Sequence, residues 1–141
     1  MNRVTKISAS LAIGLFIASA LAIFPSGAAV AQTLDIRIQS DTGGSPPGEL
    51  MLTDPSGDRT GPEATDIHLR NPMSGLYNLR VIGLKAGEYT LYLKAYSDSG
   101  GTSDVRFPHM TIKGGEVHHY QANFSAEGPK LDVRRTRVTT E

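Results

Sequence analysis

The chain is 141 residues long, enough for one domain and an appendage, with 14 basic against 14 acidic side chains and no cysteine. The balanced charge argues against a nucleic-acid partner, whose phosphates need clustered lysine and arginine, and gives no general attraction to anionic lipid. The absence of cysteine excludes disulfides, thiol redox chemistry and cysteine-metal centres.

The appendage comes first. Arg3 and Lys6 precede an almost wholly apolar run from Ile7 to Phe24, then a helix breaker at Pro25-Ser26-Gly27, then small residues at Ala29-Val30-Ala31. That order predicts a secretory signal peptide helix over residues 1–31, cut before Gln32, and so an exported chain, periplasmic or extracellular. A retained membrane anchor is the alternative reading, because the apolar run approaches the length that spans a bilayer. Arg3 and Lys6 are the only charged residues before Gln32, so residues 32–141 hold 12 basic and 14 acidic groups, a formal charge of −2. A chain of that size buries roughly two thirds of its surface and holds a core without disulfides.

Past Gln32 the apolar residues alternate with polar ones, the period of half-buried strands. Leu34, Ile36 and Ile38 share one face of a first strand, and Gly48 to Asp54 reads as a second. Residues 55–65, rich in Pro, Gly, Thr and charge, predict a loop, and Ile67 to Leu69 a short strand stopped by Asn71-Pro72. Two near-repeats follow, GLYNLRVIG from Gly75 and GEYTLYLKA from Gly87. Tyr77, Leu79 and Val81 share a face in the first, and Tyr89, Leu91, Leu93 and Ala95 in the second, so both strands enter one core as antiparallel neighbours, each opened by a glycine at a tight turn.

SDSGGT (Ser97 to Thr102) and KGGE (Lys113 to Glu116) are read as hairpin turns. Between them the apolar phase switches, from Val105 and Phe107 to Met110 and Ile112, with Pro108 at the switch, which predicts a bulge or an edge position. In EVHHYQANF the face of Tyr120, Ala122 and Phe124 is apolar, so His118 falls on its rim and His119 points outward. The tail from Gly128 predicts a weak edge strand that frays. The whole is an all-β, antiparallel Ig-like β-sandwich of about seven or eight short strands over residues 32–127, with residues 128–141 as a basic tail. Its expected core is Leu34, Ile36, Ile38, Leu50, Leu52, Tyr77, Leu79, Val81, Tyr89, Leu91, Leu93, Val105, Phe107, Tyr120 and Phe124.

LTDPSGDRTG (Leu52 to Gly61) followed by PMSGLYNLRVIG (Pro72 to Gly83) resembles bacterial pre-peptidase C-terminal domains and related Ig-like accessory modules of secreted proteins. GEYTLYLKAYSDSG (Gly87 to Gly100) is similar to the penultimate strand and hairpin of bacterial Ig-like repeats. The resemblance covers about Glu49 to Phe124 and rests on turn and strand signatures, which speak for fold more than function. It implies a non-catalytic module that stabilises, tethers or presents something else, although no peptidase domain stands beside it in these residues. Gly87-x-Tyr89-x-Leu91 also resembles the Ig-type tyrosine corner, which implies a bond from the Tyr89 hydroxyl to nearby backbone; a solvated hydroxyl is the plain alternative.

Chemistry-bearing groups are few. No Gly-x-Ser-x-Gly, His-Glu-x-x-His or phosphate loop occurs, so no enzyme is expected and no cofactor is implied. His118 and His119, adjacent on a strand, point to opposite faces and do not share an ion, whereas His109 could meet His118 across the Gly114-Gly115 turn to hold a transition metal. Asp54 and Asp58 flank a glycine turn that could take calcium, though turn chemistry alone explains both. Tyr92 and Tyr96, on the face opposite the core, are candidate partner contacts unless they cover a second layer. Arg134, Arg135 and Arg137 could dock an acidic partner or simply be solvated. The function expected is binding or structural support at the cell envelope by a monomer, with an envelope protein or polysaccharide as partner; a small periplasmic metal-binding protein using His109 and His118 is the second reading.

Overall fold

The computed structural model describes residues 31–141; the expected signal segment lies, but for Ala31, outside them. The described residues are all-β. Nine strands follow one another: β1 Gln32–Ser40, β2 Gly48–Thr53, β3 Arg59–Ala64, β4 Asp66–Arg70, β5 Gly75–Gly83, β6 Gly87–Ser97, β7 Thr102–Ile112, β8 Glu116–Ser125 and β9 Lys130–Thr140. They form two antiparallel sheets, one of five strands in the order β9-β8-β5-β2-β3 and one of four in the order β4-β1-β6-β7.

The alternation read from the sequence decides which faces meet. Leu34, Ile36, Ile38, Ile67, Leu91, Leu93 and Ala95 from the four-stranded sheet join Leu50, Leu52, Tyr77, Leu79, Val81, Tyr120, Ala122 and Phe124 from the five-stranded one in a single buried cluster. Every expected core residue belongs to it, Val105 and Phe107 as half-buried members on edge strand β7. The Tyr77 and Phe124 rings meet edge to face at 6.5 Å, and Phe107 and Tyr120 at 5.0 Å, arrangements worth about 0.5–1.5 kcal/mol beyond burial.

Chain reversal and strand pairing turn out to be separate matters. SDSGGT closes a true hairpin, β6 on β7. The two near-repeats do not pair: β5 and β6 lie in different sheets, and both contribute to the one core. KGGE likewise carries the chain from β7 in one sheet to β8 in the other. These two crossings pack together, with the Gly115 N–H donating to the Gly83 carbonyl at 3.0 Å. A side chain at Gly83 would run into the Lys113 carbonyl, so glycine is required there for closeness of backbone.

Two segments are more ordered than their composition predicts. Arg59–Ala64, expected as loop, is edge strand β3, with its ladder to β2 irregular between Leu50 and Leu52. The basic tail does not fray but pairs with β8 from Lys130 to Thr140, anchored by buried Leu131. The expected phase switch is a bulge: Tyr89 pairs with Met110 and Leu91 with Phe107, leaving Pro108 and His109 opposite Thr90, and His109 takes φ 56°. All four sheet edges are thereby blunted against further pairing, by charge on β9, bulges on β7 and β3, and shortness on β4.

Candidate functional site

The outer face of the four-stranded sheet collects the side chains that alternate away from the core. Register aligns them in cross-strand rows: Asp66, Arg37, Tyr92 and Arg106 in one, His68, Asp35, Lys94 and Asp104 in the next, Arg70, Thr33, Tyr96 and Thr102 in a third. Acidic and basic side chains are thus neighbours within and between the first two rows, and of these His68 and Asp35 come into direct contact. Arg37 lies over the Tyr92 ring, 5.3 Å from its centroid, and Lys94 over Tyr96 at 5.5 Å, cation–π contacts of about 0.5–1 kcal/mol at exposed sites. His68 Nδ1 meets Asp35 Oδ1 at 2.5 Å. The first two rows line a depression of about 700 Å³, with three aspartates balancing Arg37, Lys94 and Arg106. Tyr92 and Tyr96 are half-buried on this face, as their parity predicts.

The metal pair expected at His109 and His118 does not form. The two histidines sit in different sheets, because the glycine turn between them crosses the core instead of closing a hairpin. His118 is 2% exposed, buried and not on a rim. Its Nδ1 lies 2.6 Å from the Tyr89 hydroxyl, which is 2.9 Å from the Tyr120 hydroxyl, and its Nε2 faces Glu116 Oε1 at 3.8 Å. Burial, reinforced by Arg135, pushes His118 below the usual histidine range, and burial raises both tyrosines. This chain of groups is satisfied within the core and closed to substrate. The Tyr89 hydroxyl bonds side chains and not backbone; it is Tyr77 whose hydroxyl donates to a carbonyl four residues upstream, Met73 O at 2.7 Å, in the manner of a tyrosine corner.

His109 instead meets a pair of carboxylates. The bulge swings its Nδ1 to 3.2 Å from Asp41 Oδ2, and one donor atom each from Asp41, Glu88 and His109 lie within 4.8 Å of one another. Asp41 as a residue is exposed, but that exposure is backbone at the turn; its side chain is only 15% exposed and its second oxygen accepts a 2.6 Å bond from Thr90. Neither Asp41 nor Glu88 stands out in sequence, since they come from different strand ends that only the β1–β6 pairing brings together.

Asp54 and Asp58 behave as turn residues. Asp54 Oδ1 accepts from the Ser56 hydroxyl at 2.7 Å and from the Ser56 and Asp58 N–H groups at 2.9 Å each. The Ser56 hydroxyl foremost holds the Asp54 carboxyl below its usual range. Among the described residues neither joins a three-ligand cluster.

The arginines of β9 divide. Arg134 and Arg137 align with Gln121 and His119 on the outer face of the five-stranded sheet, whereas Arg135 aligns with inward Tyr120 across a bulge that leaves Thr136 over. Comparison with family models, with curated proteins and with solved structures finds no match.

Proposed function

We propose that the chain is an exported, non-catalytic β-sandwich accessory module that binds a polysaccharide or protein of the cell envelope through the outer face of β4-β1-β6-β7. The observation that carries this reading is the Asp66-Arg37-Tyr92-Arg106 row above a depression of mixed charge. A half-buried ring with Arg37 laid over it offers a flat apolar surface, and the aspartates and arginines around it supply acceptors and donors. The burial of His118, Tyr89 and Tyr120, which puts this hydrogen-bonded set out of a substrate's reach, supports a non-catalytic role.

The likeness to pre-peptidase C-terminal and Ig-like modules is supported by two facing antiparallel sheets and by the Tyr77 corner bond. It does not extend to the strand order of antibody domains, whose first two strands pair, because β1 and β2 lie in different sheets. Export rests on the order of residues 1–31 in the sequence. Capture of partners from a native envelope fraction by the parent and by Tyr92→Ala tests the proposal. A partner or glycan lost in Tyr92→Ala, with melting unchanged, upholds it; identical capture by both proteins sinks it.

A second reading, a small metal-binding protein, is favoured by one observation, the convergence of Asp41, Glu88 and His109. One nitrogen and two oxygens suit zinc or a similar divalent ion, with Thr90 orienting Asp41 from behind.

A further inference from the structure

The depressions on the two outer sheet faces differ in charge. Three aspartates offset three cations around the depression above Tyr92, but the depression of about 500 Å³ on the five-stranded sheet is lined by Arg59, Arg80, Arg137 and His119 with no carboxylate. Residues 32–141 carry a slight negative excess, so this gathering of cations runs against the average of the chain.

Register explains how it arises. One row runs Met51, Arg80, His119, Arg137, and the next runs Arg59, Thr53, Asn78, Gln121, Arg134, so four arginines from three strands reach one surface. At about 4.8 Å between strands, the second row spreads its two guanidinium-bearing positions over roughly 19 Å. Only Arg80 has an acidic partner, Glu141 at 3.5 Å; among the described residues Arg59, Arg134 and Arg137 have no carboxylate within salt-bridge range. His119 senses the crowding: burial first, then Arg137 and Arg80, hold it below the ordinary histidine range.

We infer that the outer face of β9-β8-β5-β2-β3 is a second binding surface, separate from the Tyr92 face, whose ligand is an acidic polysaccharide carrying repeated carboxylates. Charge complementarity points to the anion, and guanidinium forks match carboxylates two bonds at a time. The spread of the arginines points to a chain of anions, because a single small anion reaches one or two of them. Asn78, Gln121, Thr53 and Thr136, interleaved with the cations, supply the amide and hydroxyl groups that hydroxyl-rich sugars pair with, which favours a glycan over a peptide or lipid surface.

The test is co-sedimentation or calorimetry of the full chain with polygalacturonate, against dextran as neutral control and phosphatidylglycerol vesicles as an anionic lipid control. Polygalacturonate is expected to bind at low salt, to weaken as salt rises, and to lose roughly tenfold or more in affinity in the double variant Arg80→Ala/Arg137→Ala. Arg59→Glu, at an exposed edge position, gives the same loss with less risk to folding. Tyr92→Ala leaves this binding unchanged, which separates the outcome from that of the proposed function. Binding no tighter than to dextran, tighter binding to the vesicles, retention of affinity in both arginine variants, or equal loss in Tyr92→Ala would each overturn the inference.

Discussion

The Tyr89 hydroxyl lies 2.6 Å from His118 Nδ1 and ties a strand of one sheet to a strand of the other through the centre of the core. Tyr89 has one hydroxyl proton and two polar neighbours, His118 and Tyr120, so it donates to one and accepts from the other. The three groups are satisfied only together, and each is buried.

Removing the middle member therefore costs more than removing an end. Tyr89→Phe leaves His118 and Tyr120 each short of a partner and is expected to destabilise the fold by about 1–3 kcal/mol; Tyr120→Phe costs about 1 kcal/mol. Urea midpoints of the two variants, compared with the parent, give the order directly. Equal midpoints would mean that the network contributes nothing as a unit.

Acid should unfold the protein through His118. Its folded-state pKa is depressed by burial below the ordinary value of 6.5, so below pH 6.5 the unfolded chain takes up a proton that the folded one refuses. Stability is thus level above pH 6.5 and falls as pH drops from there toward the folded pKa. His119, depressed in the same direction, adds to the slope. Asp54 adds a later loss below its ordinary 3.8. Melting temperatures at pH 7.5 and 5.5 should separate by less in His118→Gln than in the parent, and His119→Gln should remove a smaller part.

Gly75 and Gly87 open the two near-repeats for different reasons. Gly75 sits at φ +138° with Pro55 Cγ 2.9 Å from where a Cβ would stand, while Gly87 has ordinary φ and only the Pro47 ring, also 2.9 Å away. Gly75→Ala meets strain and crowding together and is expected to cost about 1–3 kcal/mol. Gly87→Ala meets crowding alone and costs less, as paired thermal melts would show.

Zinc should raise the melting temperature of the parent if Asp41, Glu88 and His109 hold an ion, because a ligand bound only by the folded state stabilises it by mass action. The rise is expected to vanish in His109→Ala and Asp41→Asn and to survive His118→Gln. No rise with excess zinc in the parent removes the metal reading.

Tyr77→Phe deletes the donor to the Met73 carbonyl and should cost about 0.5–1.5 kcal/mol. The two near-repeats show why the sequence alone placed this bond on the wrong ring. Gly-x-Tyr-x-Leu occurs in both, and the local spacing is the same; the difference lies in what faces each hydroxyl, Met73 from the preceding loop or His118 from the opposite sheet.

Alternation by itself determined the inward set, from Leu34 on β1 to Phe124 on β8, because period-two burial is a local property of an extended chain and a one-residue slip would put each of those side chains in water. Pro108 likewise announced its bulge, since a phase switch must insert a residue somewhere. Strand partners were a different matter. A glycine turn fixes where the chain reverses, not whether the next strand bonds its neighbour or crosses the core, and so β5 and β6 were legible as strands but not as members of opposite sheets. The choice of strand partners separates His109 from His118, delivers Asp41 and Glu88 to His109, and lines up Arg59, Arg80, Arg134 and Arg137 from three strands on one face. Groups far apart in sequence become neighbours through backbone pairing whose energy depends on the whole core, which no local pattern of residues carries.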